Sequence, residues 1–226
     1  MLCSSSKHRE PALRLVVFDC DGTLVDSQRF IVECMTAAFV AERMEPPSSD
    51  AIRRIVGLTL VHAVDRLLGG GDLAMAERLA DGYRAQFLLR RERGDTDEPL
   101  FPGAVELLDE LAARGVTMGV ATGKTMRGLK HILAQHGLSH RFITLQTADL
   151  HPSKPHPAMI EAAMRETGAA PAETMMVGDT SFDIEMAVAA GVLPVGVSWG
   201  NHPAVELKAV GAVHVLDRFD QLIGLL

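Results

Sequence analysis

Four glycines, Gly115, Gly137, Gly168 and Gly191, each close a stretch of helical period, and short apolar, β-rich runs alternate with those stretches through the second half of the chain. Glycine just past the last periodic residue is the usual way for a helix to end, because it enters the left-handed region without a Cβ clash. The apolar runs 13–19, 116–122, 142–147, 174–179, 194–198 and 212–216 read as buried strands. Helices are expected over 103–114, 125–136, 156–167 and 183–190. Strands alternating with helices demand right-handed βαβ crossovers and a mainly parallel sheet, so the fold class is α/β.

Residues 26–98 break the alternation. They offer helical patterns at 29–43, 50–55, 60–68 and 73–93 and no convincing strand. So long an all-helical stretch directly after the first strand is no ordinary crossover and reads as an inserted domain. The expected division is a core of 1–25 and 98–226, with a helical domain of 26–97 between them. A chain of 226 residues, 47% hydrophobic and 23% charged, is large enough for this.

Charge and cysteines narrow the function. The net charge is −7 and no basic block occurs, which argues against a nucleic-acid partner. Cys3, Cys20 and Cys34 show neither paired spacing nor an accompanying histidine pattern, so zinc and a disulfide framework are both disfavoured. The polar start of the chain carries no signal-peptide pattern, and no apolar stretch approaches the roughly 18 residues a membrane helix needs. The cytoplasm is the expected location, and a monomer or homodimer the expected state.

Four constellations fall at expected strand ends, where open α/β sheets bind their ligands. Asp19 and Asp21 follow the first strand. Two carboxylates so close raise each other's pKa, and a hard cation such as magnesium relieves that cost. Gly22 then lets the chain turn beside a charged ligand. Thr122 and Gly123 follow the second strand, where a hydroxyl and the amides of a helix N-terminus make a phosphate cradle; Lys124 beside them reads as a solvated loop lysine. Lys154, held by Pro155, places a compact positive charge before a helix, and His156 has no assigned role. Asp179 ends the fourth strand and Asp183 opens the next helix, where an acid also suits the helix dipole.

The sequence Asp-x-Asp-Gly-Thr-Leu-Val-Asp-Ser at 19–27, Thr122-Gly123, Lys154-Pro155-x-Pro157 and Gly178-Asp179-Thr180-x-x-Asp183 together resemble, in order, the motifs of the haloacid dehalogenase superfamily in its phosphatase branch. The resemblance implies a Rossmann-like, doubly wound core with a helical cap like that of phosphoglycolate phosphatases and β-phosphoglucomutases. It implies that Asp19 attacks phosphorus, that Asp21 is the general acid and then the base, and that Lys154 stabilises charge. It implies that Thr122 and Gly123 hold the phosphoryl group and that Asp19, Asp21, Asp179 and Asp183 hold Mg2+. The expected partner is a small phosphorylated metabolite.

By the same resemblance, Arg53 and Arg54 lie before the cap loop that dips toward substrate, and either could grip a carboxylate or a second phosphate; solvated helix arginines are the plain alternative. Arg90-Arg91-Glu92-Arg93 reads as an exposed helix end. Residues 26–98 contain no lysine, which disfavours the relatives that form a Schiff base through a cap lysine. A sugar-phosphate mutase and a catalytically idle binding protein are the alternatives to a phosphatase. A signalling receiver domain is excluded by length and motif order.

Overall fold

The computed structural model describes residues 13–95 and 98–226. Residues 1–12 of the expected core, Cys3 among them, and Thr96 and Asp97 of the return loop lie outside the described residues. Six strands form one sheet: β1 (Leu15–Phe18), β2 (Thr117–Thr122), β3 (Thr144–Thr147), β4 (Thr174–Gly178), β5 (Leu193–Val197) and β6 (His214–Leu216). Their spatial order is β3-β2-β1-β4-β5-β6, and every pairing is parallel. The strand order reverses at β1, as in a doubly wound fold, and this puts the crevice for ligands at the carboxyl end of β1.

The two-residue period of β1 sorts its side chains between two cores. Val16 and Phe18 join one cluster with Leu107, Leu108 and Leu111 of α5 (Ala104–Ala113) and with Leu129, Ile132 and Leu133 of α6 (Met126–Gln135). Leu15 and Val17 join the other, with Met159 and Ile160 of α7 (Ala158–Thr167) and Met186 of α8 (Ser181–Ala190). Both faces of the sheet are thus covered, which explains why its strands read as continuous apolar runs. Gly115, Gly137, Gly168 and Gly191 all take φ between 69° and 73°, as the helix stops require.

Between β1 and α5 run α1 (Gln28–Ala41), α2 (Ser49–Arg53), α3 (Leu60–Leu67) and α4 (Leu73–Glu92). They pack around an apolar cluster of their own that includes Met35, Phe39, Ile52, Val64 and Leu79. Ser48 and Asp72 cap α2 and α4 by accepting from the amides of Ala51 and Met75. The chain leaves and re-enters the sheet at neighbouring points: Val25 bridges Leu100, the amide of Asp26 donates to the Pro99 carbonyl at 2.8 Å, and the amide of Phe101 donates to the Leu24 carbonyl at 3.0 Å. One helix had no sequence expectation, α9 (Ala204–Ala209), a six-residue element behind Pro203. No helix among the described residues is long and apolar enough to cross a membrane.

Candidate active site

Strand register brings the chemistry together. Phe18 of β1 lies between Val120 of β2 and Val177 of β4, so Asp19, Thr122 and Asp179 all emerge at one rim. Asp19, Asp179 and Asp183 are fully buried, and oxygens of their three carboxylates lie within 4.8 Å of one another. Like charges this close, taken out of water, are held there only if something positive is shared between them.

Lys154 supplies part of that charge. Its side chain is fully buried, and Nζ stands 3.0 Å from Asp19 Oδ1 and 2.6 Å from Asp183 Oδ1. Burial disfavours the ammonium ion, yet Asp183 and Asp19 outweigh it and raise the lysine pKa. Asp183 Oδ2 accepts from the Thr180 amide at 3.0 Å and from its hydroxyl at 2.7 Å, forming a capping box at the start of α8. Asp183 thus caps its helix and also faces the cluster. Asp179 accepts from Thr23 Oγ1 at 3.0 Å and from the amide and side chain of Asn201 at 2.7 and 2.8 Å.

The donors do not cover the whole site. Asp19 Oδ2 is buried without a hydrogen-bond partner. Burial, opposed by Lys154 but reinforced by Asp183, Asp179 and Asp21, raises Asp19 well above the carboxylate range. Burial and then Asp183 push Asp179 up to about 7, against its donors from Asn201 and Thr23. A buried carboxylate with an unpartnered oxygen, in a group of three carboxylates within 4.8 Å of one another, fits a hard divalent cation. The carboxylates of Asp19, Asp179 and Asp183 would hold it.

Asp21, also expected among the metal residues, is not part of that cluster of three carboxylates and meets other partners. Its Oδ1 accepts from Ser27 Oγ at 2.5 Å and lies 2.9 Å from Lys124 Nζ. The cause is the turn: β1 ends at Phe18 and the amides of Leu24 and Val25 fold back on the Cys20 carbonyl, so strand alternation no longer sets the direction of Asp21. Lys124 is no solvated loop lysine. Its side chain is only 11% exposed and its Nζ also stands 3.5 Å from Glu98 Oε1. Burial opposes its charge, but Asp21 and Glu98 outweigh burial and raise its pKa.

Two glycines are fixed by close approach. At Gly22, with φ 81°, a Cβ would stand 2.2 Å from Asp179 Oδ2, so no other residue fits this turn against the carboxylate group. At Gly123 a Cβ would stand 2.8 Å from the carbonyl oxygens of both Gly57 and Leu58, in the loop that α2 and α3 lower onto the rim. Gly123→Ala is therefore expected to lift that loop and to cut kcat/KM about 100-fold, the scale of a misplacement near 1 Å. Steady-state kinetics would check this; an unchanged kcat/KM would show that the loop need not seat on Gly123.

The cap arginines meet other partners. Arg54 pairs with Glu206 of α9 at 2.7 Å, and Arg53 reaches Gln28 Oε1 at 3.2 Å and Asp50 at 3.1 Å. Both are part-exposed seam contacts between or within elements, and Arg54 is joined there by its own carbonyl, which accepts from His202 Nε2 at 3.3 Å. Thr122 is buried, and its hydroxyl accepts from the Lys124 amide at 3.3 Å. Sequence reasoning missed Thr23, Ser27, Asn201 and Glu98. Thr23 and Ser27 sit inside the first motif, and the loop after β5 is a strand-end loop, which is the one signal for Asn201.

Residues 16–197 match the family model described as haloacid dehalogenase-like hydrolase. The chain belongs to that family. It is 39% identical over 215 residues to "Probable phosphatase IndB" of Dickeya dadantii, a match that covers 93% of this chain and 92% of that protein. It is 31% identical over 215 residues to a phosphoglycolate phosphatase of Rhodospirillum rubrum, covering 92% and 89%. Among solved structures, a Bacteroides fragilis protein assigned as a haloacid dehalogenase-like hydrolase superposes with a TM-score of 0.86 at 27% identity, covering 93% of this chain and 99% of that one. Its relatives and neighbours place the chain with the phosphatases of the family.

Proposed function

We propose that the chain hydrolyses a small phosphomonoester, of the phosphoglycolate type, through an aspartyl-phosphate on Asp19 with Mg2+ as cofactor. The observation that carries this reading is Asp19 Oδ2, buried and without a hydrogen-bond partner, beside the carboxylates of Asp179 and Asp183. Magnesium, when bound, neutralises the charge of the phosphoryl oxygens and of the carboxylates around them.

The chain's own groups supply the rest. Lys154 and the backbone amide of Cys20 hold Asp19 Oδ1, at 3.0 and 2.6 Å, which fixes the plane of the attacking carboxylate. Attack by the Asp19 carboxylate forms an O–P bond and breaks the ester P–O bond, while protonated Asp21 gives its proton to the departing alkoxide. Asp21 then takes a proton from water as its oxygen attacks phosphorus, which breaks the Asp19 O–P bond, frees phosphate, and restores Asp19 as a carboxylate and Asp21 in its protonated form. Thr122 and Gly123, at the end of β2, bind the equatorial oxygens. The helices α1–α4 act as a cap that excludes water, with the loop at Gly57 and Leu58 resting on Gly123.

A panel of phosphate esters, assayed for phosphate release with Mg2+ and with a chelator, tests the activity. Thermal unfolding adds a readout apart from turnover. Asp19 and Asp179 have pKa values raised in the folded state, so their contribution to metal-free stability is full below the unfolded value of 3.8 and falls as pH rises, that of Asp179 being lost through about 7. Mg2+ should therefore raise Tm more at pH 8 than at pH 5. Phosphate release indifferent to the chelator, together with no Tm shift, would sink the metal assignment. Phosphoryl return to a hexose phosphate in place of free phosphate would make the chain a mutase.

A further inference from the structure

Lys124, with a side chain only 11% exposed, is a largely enclosed cation that the chemistry above does not use. It costs the fold something to bury, since a lysine withdrawn from water must be compensated. The compensation is specific: Asp21 Oδ1 at 2.9 Å, Glu98 Oε1 at 3.5 Å, and the Phe87 ring of α4 with its centroid 5.7 Å from Nζ. Glu98 is itself buried, and its carbonyl accepts from His136 Nε2 at 2.9 Å, which fixes it to the end of α6. Nothing in this arrangement is a mobile surface contact.

We propose that Lys124 is a positioning residue that orients the carboxylate of Asp21 for proton transfer. The inference rests on the phosphatase reading, in which Asp21 is the acid and base. Ser27, at the start of α1, and Lys124, in the loop after β2, reach the same oxygen, Oδ1, from two different elements. Two donors on one carboxylate oxygen fix the plane of the group, so the other oxygen is the one presented to the leaving group and to water. Proton transfer needs its donor within hydrogen-bond reach and held to roughly 10–20° of the productive geometry. Glu98 and Phe87 hold Lys124 from behind, and Phe87 belongs to α4. The orientation of Asp21 thus depends on α4 being seated over the core.

The test compares leaving groups. p-Nitrophenolate departs without a proton, whereas the alkoxide of 2-phosphoglycolate needs one. In single-turnover measurements with Mg2+, Lys124→Met is expected to slow first turnover of 2-phosphoglycolate about 10- to 100-fold, part of the range for general acid catalysis. The first release of p-nitrophenolate from p-nitrophenyl phosphate should change less than about threefold, since it bypasses the acid. In an Asp21→Asn background, adding Lys124→Met should cost less than about threefold with either substrate, because a residue acting through Asp21 has nothing left to orient. Lys124→Met with Glu98→Gln removes the carboxylate otherwise left buried without its partner, and should show the same selectivity if the single variant folds poorly. Equal losses for both substrates, or a full additional loss in the Asp21→Asn background, would overturn the proposal. An active Asp19→Asn enzyme would instead overturn the phosphatase reading beneath it.

Discussion

Asp19→Asn is expected to abolish phosphate release, with a fall of about 10⁵- to 10⁶-fold in kcat, the scale seen when a covalent nucleophile is removed. The amide keeps the shape of the side chain but has no lone pair able to displace an alkoxide. It also separates chemistry from folding. Asp19 is fully buried and, beside Lys154, stands with Asp183 and Asp179, which disfavour its ionised form. A neutral amide relieves that repulsion, so the metal-free variant should melt at the wild-type temperature or above it. Retention of more than about one-tenth of wild-type turnover would remove Asp19 from the role of nucleophile, because no covalent catalyst survives loss of its attacking atom so lightly.

Lys154→Met should fail on both counts. The Nζ lies 3.0 Å from Asp19 and 2.6 Å from Asp183, with no exposed side-chain surface. Its removal leaves two buried carboxylates facing Asp179 without their cation. Breaking a buried pair from one side costs about 3–5 kcal/mol. For a domain of this size that is roughly 10 °C in Tm. Because the deficit is one of positive charge, Mg2+ should restore part of the lost stability. It should not restore the rate: loss of one group that stabilises developing charge costs about 10²- to 10³-fold in kcat. Calorimetry with and without Mg2+, alongside kcat, would show this; wild-type Tm and wild-type kcat together would exclude a structural and a catalytic part for Lys154 alike.

The sequence exposed the sheet well because both of its faces are covered. Leu15 and Val17 serve one core and Val16 and Phe18 the other, so the strand appears as an unbroken apolar run with a charged end. Helix stops were legible because left-handed glycines leave a local mark. The short α9 carried too few turns to show a period, which is why it was not foreseen. At the site, the aspartates were legible as charged residues that end apolar strands, but their grouping was not. Whether Asp21 or Asp183 turns toward Asp19 depends on side-chain direction at the rim, and no spacing encodes that.

Lys124 was the clearest misreading. Its neighbours in sequence are loop residues, while its counter-charges, Asp21 and Glu98, come from opposite ends of the helical stretch. Burial set by partners so distant along the chain leaves no local trace. Arg54 shows the same effect: its partner is Glu206, in the helix that went unseen.

The paired crossings at Leu24–Asp26 and Pro99–Phe101 carry a consequence for how such a molecule diversifies. Because the outgoing and returning segments are zipped side by side, everything between them hangs from the sheet like a module on a single bracket. Helices can be lengthened, shortened or replaced there without disturbing strand register, while the reacting carboxylates stay on the unaltered rim. The one position such exchange must spare is Phe87 of α4, whose ring packs on Lys124 beside Asp21.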